Sequence, residues 1–170
     1  MRKMIKKVCM LGDGAVGKTS LIRRFVYDIF EEDYKPTIGT KIVKKVVEVP
    51  EFDTELTMVI WDIMGHKSYM QVPPQYYQGA EGVIVVADIT RKKTLENLDF
   101  WVKTLMMESG EIPIVFVANK IDLMGLAEFG EEDVAEIAKQ FSAPYVLTSA
   151  KTGEGVNKAF RTLAVNMVRY

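Results

Sequence analysis

The chain has 170 residues, the length of one ordinary globular domain, and we treat residues 1–170 as a single domain. A hydrophobic share of 48% and a formal net charge of -1 are typical of a soluble folded protein, and they do not suggest nucleic-acid binding or an acidic membrane surface as target. One Cys and one His exclude an internal disulfide and argue against a Cys/His zinc site, so a reducing compartment such as the cytoplasm is expected. The chain has no apolar run long enough to span a bilayer, no signal peptide and no terminal Cys, so we expect no direct membrane anchor in it.

Apolar, β-rich segments alternate with segments of helical period. Strands are predicted at 5–11, 41–49, 56–62, 82–88, 112–118 and 144–148, and helices at 20–27, 94–108, 131–141 and 156–167. The second and third strands form a hairpin around a turn that contains Pro50, whereas the fourth and fifth are nearly continuous apolar runs, as expected of strands covered on both faces. The alternation predicts an α/β fold, with a mostly parallel six-stranded sheet, one antiparallel edge strand and helices on both faces.

The strongest motif lies between the first predicted strand and the first predicted helix. Residues 12–19 read GDGAVGKT and match the phosphate-binding pattern G-x-x-x-x-G-K-[ST]. Glycines let the backbone curl so that successive N–H groups face phosphate oxygens, and the helix that begins near Gly17 adds its positive dipole end. In this pattern Lys18 reaches the β- and γ-phosphates, and the Thr19 hydroxyl ligates Mg²⁺.

A second motif, DIMG at residues 62–65, ends the third predicted strand. The Asp62 carboxylate can hold the Mg²⁺ shell, and the Gly65 amide can contact a γ-phosphate because glycine has no Cβ to block the approach. A strand-end turn would explain this short motif equally well, so its position downstream of a phosphate loop is what favours the functional interpretation.

A third motif, NKID at residues 119–122, follows the fifth predicted strand. A pocket that selects guanine needs an acceptor for the N1–H and the 2-amino group, and the Asp122 carboxylate supplies one in bidentate form. Asn119 can tie the pocket together, and the Lys120 stem can cover the face of the base. The motif therefore favours a guanine nucleotide over other purines.

In order and spacing, these motifs resemble those of the Ras-like small GTPases, and within them the Rab branch, over essentially the whole chain. The resemblance implies a P-loop NTPase of the Ras-like G-domain type, a switch that hydrolyses GTP to GDP and phosphate with Mg²⁺ as cofactor. It also implies a monomer that meets effectors, exchange factors and activating proteins through two switch segments, with no nucleic-acid partner.

The resemblance assigns roles residue by residue. Thr37 is similar to the switch I threonine that ligates Mg²⁺, Phe30 to the aromatic that packs against guanine, and the Ala150 amide to the group that meets the guanine carbonyl. The expected metal ligands are Thr19, Thr37 and Asp62. The expected nucleotide contacts are Gly14, Ala15, Val16, Gly17, Lys18, Thr19, Ser20, Phe30, Tyr34, Thr37, Gly65, Asn119, Lys120, Asp122, Ser149, Ala150 and Lys151.

The main departure is His66, which stands where the family usually has a water-orienting Gln. A neutral imidazole nitrogen can also accept a hydrogen bond from water, as in translational GTPases, where His follows the same glycine. Two interpretations stay open. Either His66 supports hydrolysis together with Lys18, Gly65 and Thr37, or it is a weak substitute whose site a partner must complete.

Two other function classes compete with a GTPase. A P-loop kinase for a small metabolite would need an Arg-rich lid and no guanine pocket, and the NKID motif argues against it. A nucleotide-binding interaction module without useful hydrolysis differs from a GTPase chiefly at His66. No Arg lies in the phosphate loop or the two switch motifs, which predicts slow intrinsic turnover, although a contribution from Arg91 is left open.

Overall fold

The predicted strands and helices are all present in the computed structural model, which describes residues 1–32, 40–63 and 73–169. Four residues predicted to act in the site lie outside these ranges, namely Tyr34, Thr37, Gly65 and His66. The described strands are β1 (Arg2–Gly12), β2 (Thr40–Val49), β3 (Thr54–Ile63), β4 (Gly82–Asp88), β5 (Ile114–Asn119) and β6 (Tyr145–Thr148). The described α-helices are α1 (Lys18–Tyr27), α2 (Lys92–Glu96), α3 (Leu98–Ser109), α4 (Glu131–Gln140) and α5 (Val156–Arg169), and short 3₁₀ helices occupy Pro50–Phe52, Pro74–Tyr76 and Ile121–Leu126.

The strands form one six-stranded sheet in the order β2-β3-β1-β4-β5-β6. Only β2 pairs antiparallel, with β3, and all other pairs are parallel. The prediction of a mostly parallel sheet with one antiparallel edge strand is therefore confirmed. Because parallel strands end at one edge of a sheet, Asp88, Asn119 and Thr148 lie side by side in register. In open α/β sheets this edge is where ligands bind.

Helices cover both faces of the sheet and form two hydrophobic cores. Consecutive residues of β1 alternate between them: Val8 and Met10 face the core with α1 and α5, and Cys9 and Leu11 face the core with α3 and α4. Every residue of β4 and β5 is buried, which agrees with their apolar runs. Each fully buried aliphatic side chain contributes about 1.5–3 kcal/mol, so the sheet is a firm base for the loops at its edge.

The structure differs from the prediction in the segment after β4. The predicted helix at 94–108 is two helices, α2 and α3, which meet at Asn97. The Asn97 side-chain amide donates to the Asp13 carboxylate at 2.7 Å, a long-range contact that helical periodicity cannot reveal. Strand β1 also starts earlier than predicted, because Arg2 already pairs with Thr54 of β3. In the described part of the chain, no helix is long and apolar enough to cross a membrane.

Candidate nucleotide site

Three consecutive carbonyl groups of the loop between β1 and α1 each accept a hydrogen bond from a side chain of another element. The pairs are Arg91 Nη2 with Gly14 O at 2.9 Å, Lys120 Nζ with Ala15 O at 2.8 Å, and Asn119 Nδ2 with Val16 O at 3.0 Å. In a trans peptide the C=O and the following N–H point in opposite directions. The N–H groups of residues 15–17 therefore point away from these side chains, and within the described ranges they have no acceptor. Adjacent unsatisfied backbone donors of this kind form an anion-binding concavity.

Two residues of the loop have left-handed backbone conformations. Ala15 has a φ of 63° and Gly17 a φ of 103°. A Cβ on Gly17 would collide with the side-chain amide nitrogen of Asn119, so glycine is required there both for its φ and for its lack of a side chain. Gly17 also precedes α1 without a side-chain cap, so the first N–H groups of this helix add to the anion site.

The Lys18 side chain is buried beneath the loop. Its Nζ donates to the carbonyls of Gly12 and Asp13, both at 2.9 Å. Burial lowers the pKa of Lys18 to about 8, although the carboxylates of Asp62 and Asp13 oppose the shift. A buried ammonium with a lowered pKa is stabilised by an anion placed next to it, which is the chemistry expected of a phosphate-binding lysine.

Asp62 and Thr19 form a paired hydroxyl and carboxylate at the end of β3. The Thr19 hydroxyl donates to Asp62 Oδ2 at 2.5 Å. The other oxygen, Asp62 Oδ1, is buried and has no hydrogen-bond partner among the described residues. Burial is the main cause that raises the pKa of this carboxyl. A buried carboxylate oxygen without a donor, next to a hydroxyl, fits a hard divalent cation such as Mg²⁺, so the residues present fit the predicted metal.

The residues predicted to select the base meet at the ends of β5 and β6. Asn119 Oδ1 accepts from the Thr148 hydroxyl at 2.9 Å and from the Ala150 N–H at 3.3 Å. Asp122 Oδ1 accepts from the Ser149 hydroxyl at 2.7 Å. The carboxylate predicted to bind guanine is thus oriented by the loop that follows β6. The Ala150 N–H, which is predicted to meet the guanine carbonyl, makes a long contact with Asn119 Oδ1 in this structure.

The other described residues that are predicted to contact the nucleotide lie at different places around the phosphate and base loops. Ser20 lies in the first turn of α1, next to the phosphate loop. Lys151 forms an exposed ion pair with Glu32 at 3.1 Å. Phe30 is half-buried and packs against the core between the sheet and α1 and α5. The structure therefore brings the phosphate and base motifs together, whereas the packing of Phe30 on guanine stays a prediction.

Several residues that hold the site were missed by motif reasoning. Asp88 accepts from Lys120 Nζ at 2.9 Å and from Arg91 Nε at 3.1 Å. Asp13 accepts from Trp101 Nε1 at 2.8 Å, which ties the phosphate loop to α3. A polar residue at the end of an otherwise apolar strand, as Asp88 is, was the one sign in the sequence that could have revealed part of this network.

The fold and the phosphate loop together define a nucleotide-binding protein of the P-loop class. The model of the Ras family matches residues 7–169. Ras-related protein Rab-22A of Homo sapiens is 38% identical over 156 residues, covering 91% of this chain and 79% of that protein. Ras-related protein Rab-7a of Dictyostelium discoideum is 34% identical and covers 99% of this chain and 85% of its own length. GTP-binding protein ypt5 of Schizosaccharomyces pombe is 38% identical, with 94% and 76% covered.

This chain therefore belongs to the Ras family. It is a small GTPase, a switch that binds and hydrolyses GTP, and its relatives place it near the Rab branch.

Proposed function

We propose that this GTPase depends on Mg²⁺, turns GTP over slowly by itself, and is accelerated by a partner as part of signalling or trafficking-like regulation. The observation that carries the Mg²⁺ dependence is Asp62 Oδ1, which is buried with no donor in the described part of the chain and lies beside the Thr19 hydroxyl. Thr37, the third expected ligand, would join them in the triphosphate state. Mg²⁺, when bound, neutralises charge that develops on the phosphate oxygens.

The residues of the chain supply positioning and electrostatic stabilisation. The N–H groups of residues 15–17 and the Lys18 ammonium bind the polyphosphate, and Asp122 orients the guanine. Lys18 and the backbone donors are placed before the reaction starts, so stabilising the transition state needs no reorganisation of this loop. Gly65 and Thr37 are proposed to respond to the γ-phosphate, and its loss would release both switch segments.

The contacts of the Arg91 side chain favour slow intrinsic turnover of GTP. Its guanidinium contacts Asp88 and the Gly14 carbonyl, so these donors are already engaged. In related enzymes an arginine that stabilises the transition state raises the rate about 10³–10⁵-fold. We propose that such an arginine is supplied by an activating protein.

Strand β2, which follows the first switch segment in the sequence, offers a surface for a protein partner. The outer face of β2 leaves Ile42 and Val46 52% and 53% exposed. Apolar side chains on an exposed sheet face suit a protein partner, so we propose that the protein is a monomer and that effectors bind there and at the switches. The single cysteine favours a reducing compartment such as the cytoplasm.

The Mg²⁺ proposal is tested by phosphate release from protein preloaded with GTP, in a single turnover. Removing Mg²⁺ with EDTA should slow phosphate release and speed nucleotide dissociation. Asp62→Ala should require about 10–100-fold more Mg²⁺ for the same rate. Asp99→Ala, on the surface of α3, is the matched carboxylate control. Rates that are indifferent to EDTA would contradict the proposal.

The same assay decides between the two interpretations of His66. If His66→Ala hydrolyses preloaded GTP as fast as the parent, His66 has no part in the mechanism. A slower variant assigns the water-positioning role to this side chain, and a parent that releases no phosphate without a partner supports the weak-substitute interpretation.

A further inference from the structure

A buried carboxylate at the end of β4, Asp88, holds two cationic side chains next to the phosphate loop. Asp88 Oδ1 accepts from the Thr90 N–H at 2.9 Å and the Thr90 hydroxyl at 2.7 Å. Asp88 Oδ2 accepts from Lys120 Nζ at 2.9 Å and Arg91 Nε at 3.1 Å. Burial alone would raise the pKa of Asp88, but the hydrogen bonds from Thr90 and Lys120 outweigh it and lower the pKa. Asp88 therefore stays ionised and holds two cations in fixed positions.

Each of these cationic side chains also donates a hydrogen bond to the phosphate loop. Arg91 Nη2 donates to Gly14 O at 2.9 Å, and Lys120 Nζ donates to Ala15 O at 2.8 Å. These are consecutive peptide groups, and their N–H ends belong to Ala15 and Val16. Rotation of either peptide would break a charge-assisted hydrogen bond, so the contacts keep both N–H groups directed to the side of the loop that faces away from the cations.

We propose that Arg91, held by Asp88, is a positioning residue for the polyphosphate. It contacts the Gly14 peptide and not the nucleotide, and it fixes that peptide in the orientation that binds phosphate. The planar guanidinium suits this role because Nε and Nη2 reach two different acceptors at once, which a lysine ammonium on a single flexible stem does less well. Asp88 and Lys120 extend the same arrangement to the base loop.

A purely structural role for Arg91 makes a different prediction. The Arg91 backbone already supports the turn between β4 and α2, since its N–H bonds Asp88 O at 2.9 Å and its C=O accepts from Thr94 N at 3.0 Å. If the side chain only strengthened this turn, its loss would lower the melting temperature and leave bound GDP unchanged. A positioning role requires a change at the phosphate end of the ligand itself.

The test uses the full chain loaded with fluorescent GDP and chased with excess GDP in Mg²⁺. Arg91→Met keeps the aliphatic stem and removes the guanidinium, and it should release GDP about tenfold faster than the parent. Arg91→Lys should lie between the two. Lys93→Met, an exposed neighbour on α2 that makes the same charge change, is the matched control and should stay within about twofold of the parent.

Two measurements distinguish a role of Arg91 in positioning the polyphosphate from a role in stabilising the fold alone. The phosphorus-31 resonance of the β-phosphate of bound GDP should move in Arg91→Met and not in Lys93→Met. The preference for GDP over IDP, which lacks the 2-amino group, should remain that of the parent. An unmoved resonance together with parent-like GDP release would overturn the proposal, even if the melting temperature falls.

Asp88→Asn is a second variant that tests the origin of the effect. It should shift the same phosphate resonance, because the neutral amide holds Arg91 and Lys120 less firmly. If this variant does not fold, Arg91→Met still tests the positioning role.

The positioning role of Arg91 rests on the nucleotide site proposed above, yet different results would contradict the site and the role. A parent that cannot hold GDP contradicts the site, whereas a normal parent with an equally normal Arg91→Met contradicts only the positioning role.

Discussion

The phosphate loop and the base loop differ in the kind of group that we propose binds the ligand. In the phosphate loop the proposed binding groups are backbone N–H donors, and side chains from other elements hold the reverse side of the same peptides. In the base loop the proposed binding groups are side chains, and neighbouring hydroxyls orient them, as Ser149 does for Asp122. Damage to the phosphate end should therefore act through backbone geometry and affect every nucleotide. Damage to the base end should change which nucleotide is preferred.

Gly17→Ala should give the largest effect, and this effect should arise at the phosphate loop. The new Cβ would meet the Asn119 amide nitrogen, and alanine is strained at a φ of 103°. We expect GDP and IDP affinity to fall together, by at least about 100-fold, measured by calorimetry.

Gly125→Ala is the matched control for this substitution. A Cβ on Gly125 would meet nothing within 4 Å, so its affinities should equal those of the parent. Tight GDP binding by Gly17→Ala would show that the loop can rearrange and that its backbone conformation is not the source of affinity.

Asp122→Ala should give the next largest effect, and only at the base end. Without the carboxylate, the N1–H and 2-amino group of guanine lose their acceptor, so the preference for GDP over IDP should fall about 10–100-fold. IDP affinity should fall less than GDP affinity, because IDP loses only the hydrogen bond of its N1–H, whereas GDP loses those of its N1–H and its 2-amino group.

The measurement is competition between the two nucleotides, with Asp99→Ala as a surface carboxylate control. An unchanged preference would remove Asp122 from base selection. An equal loss of affinity for both nucleotides would erase the distinction between the two loops.

Arg24→Met should give the smallest effect, and it tests how the base loop is held in position. The Arg24 guanidinium on α1 donates to the carbonyls of Ala150 at 2.8 Å and Lys151 at 2.5 Å, and so holds the loop after β6 in place. Its loss should speed GDP release about three- to fivefold. The β-phosphate resonance should not move, since Arg24 contacts no part of the phosphate loop.

The adjacent Arg23 offers a control of identical chemistry. Arg23 pairs with Glu31 at 2.8 Å and, within the described residues, has no hydrogen bond to the base loop, so Arg23→Met should release GDP more slowly than Arg24→Met. Equal acceleration in both variants would mean that the effect comes from lost charge on α1 and not from the brace on Ala150.

Local motifs made most of the site predictable. The phosphate loop is one contiguous segment between a strand and a helix, and its glycines, Lys18 and Thr19 are placed by the geometry of that turn. Asn119 ends a buried strand whose apolar run is plain in the sequence, and Asp122 follows it three residues later. The register of parallel strands then brings such strand ends to one edge, which is why motifs far apart in the chain could be assigned to one site.

Contacts between distant segments could not be predicted in the same way. Arg91 and Gly14 are 77 positions apart, and nothing in the composition around Arg91 distinguishes it from the exposed lysines that follow it. The division of the predicted 94–108 helix at Asn97 has the same origin, because the Asn97 side chain bonds Asp13 of the phosphate loop. Side-chain direction at such positions depends on how the elements pack.

By itself, then, the sequence determined the α/β order of elements, the phosphate loop, the Asp62 carboxylate and the guanine-selecting motif, because each depends on hydrophobic period or on a short segment with fixed backbone requirements. Only the tertiary structure decided that Asp88 accepts hydrogen bonds from both Arg91 and Lys120, and that these two side chains donate to consecutive peptides of the phosphate loop. It also decided that Arg24 contacts the base loop and that Trp101 contacts the phosphate loop. Those contacts join residues whose separation in sequence says nothing about their separation in space, so they exist only once the sheet has set its strand order.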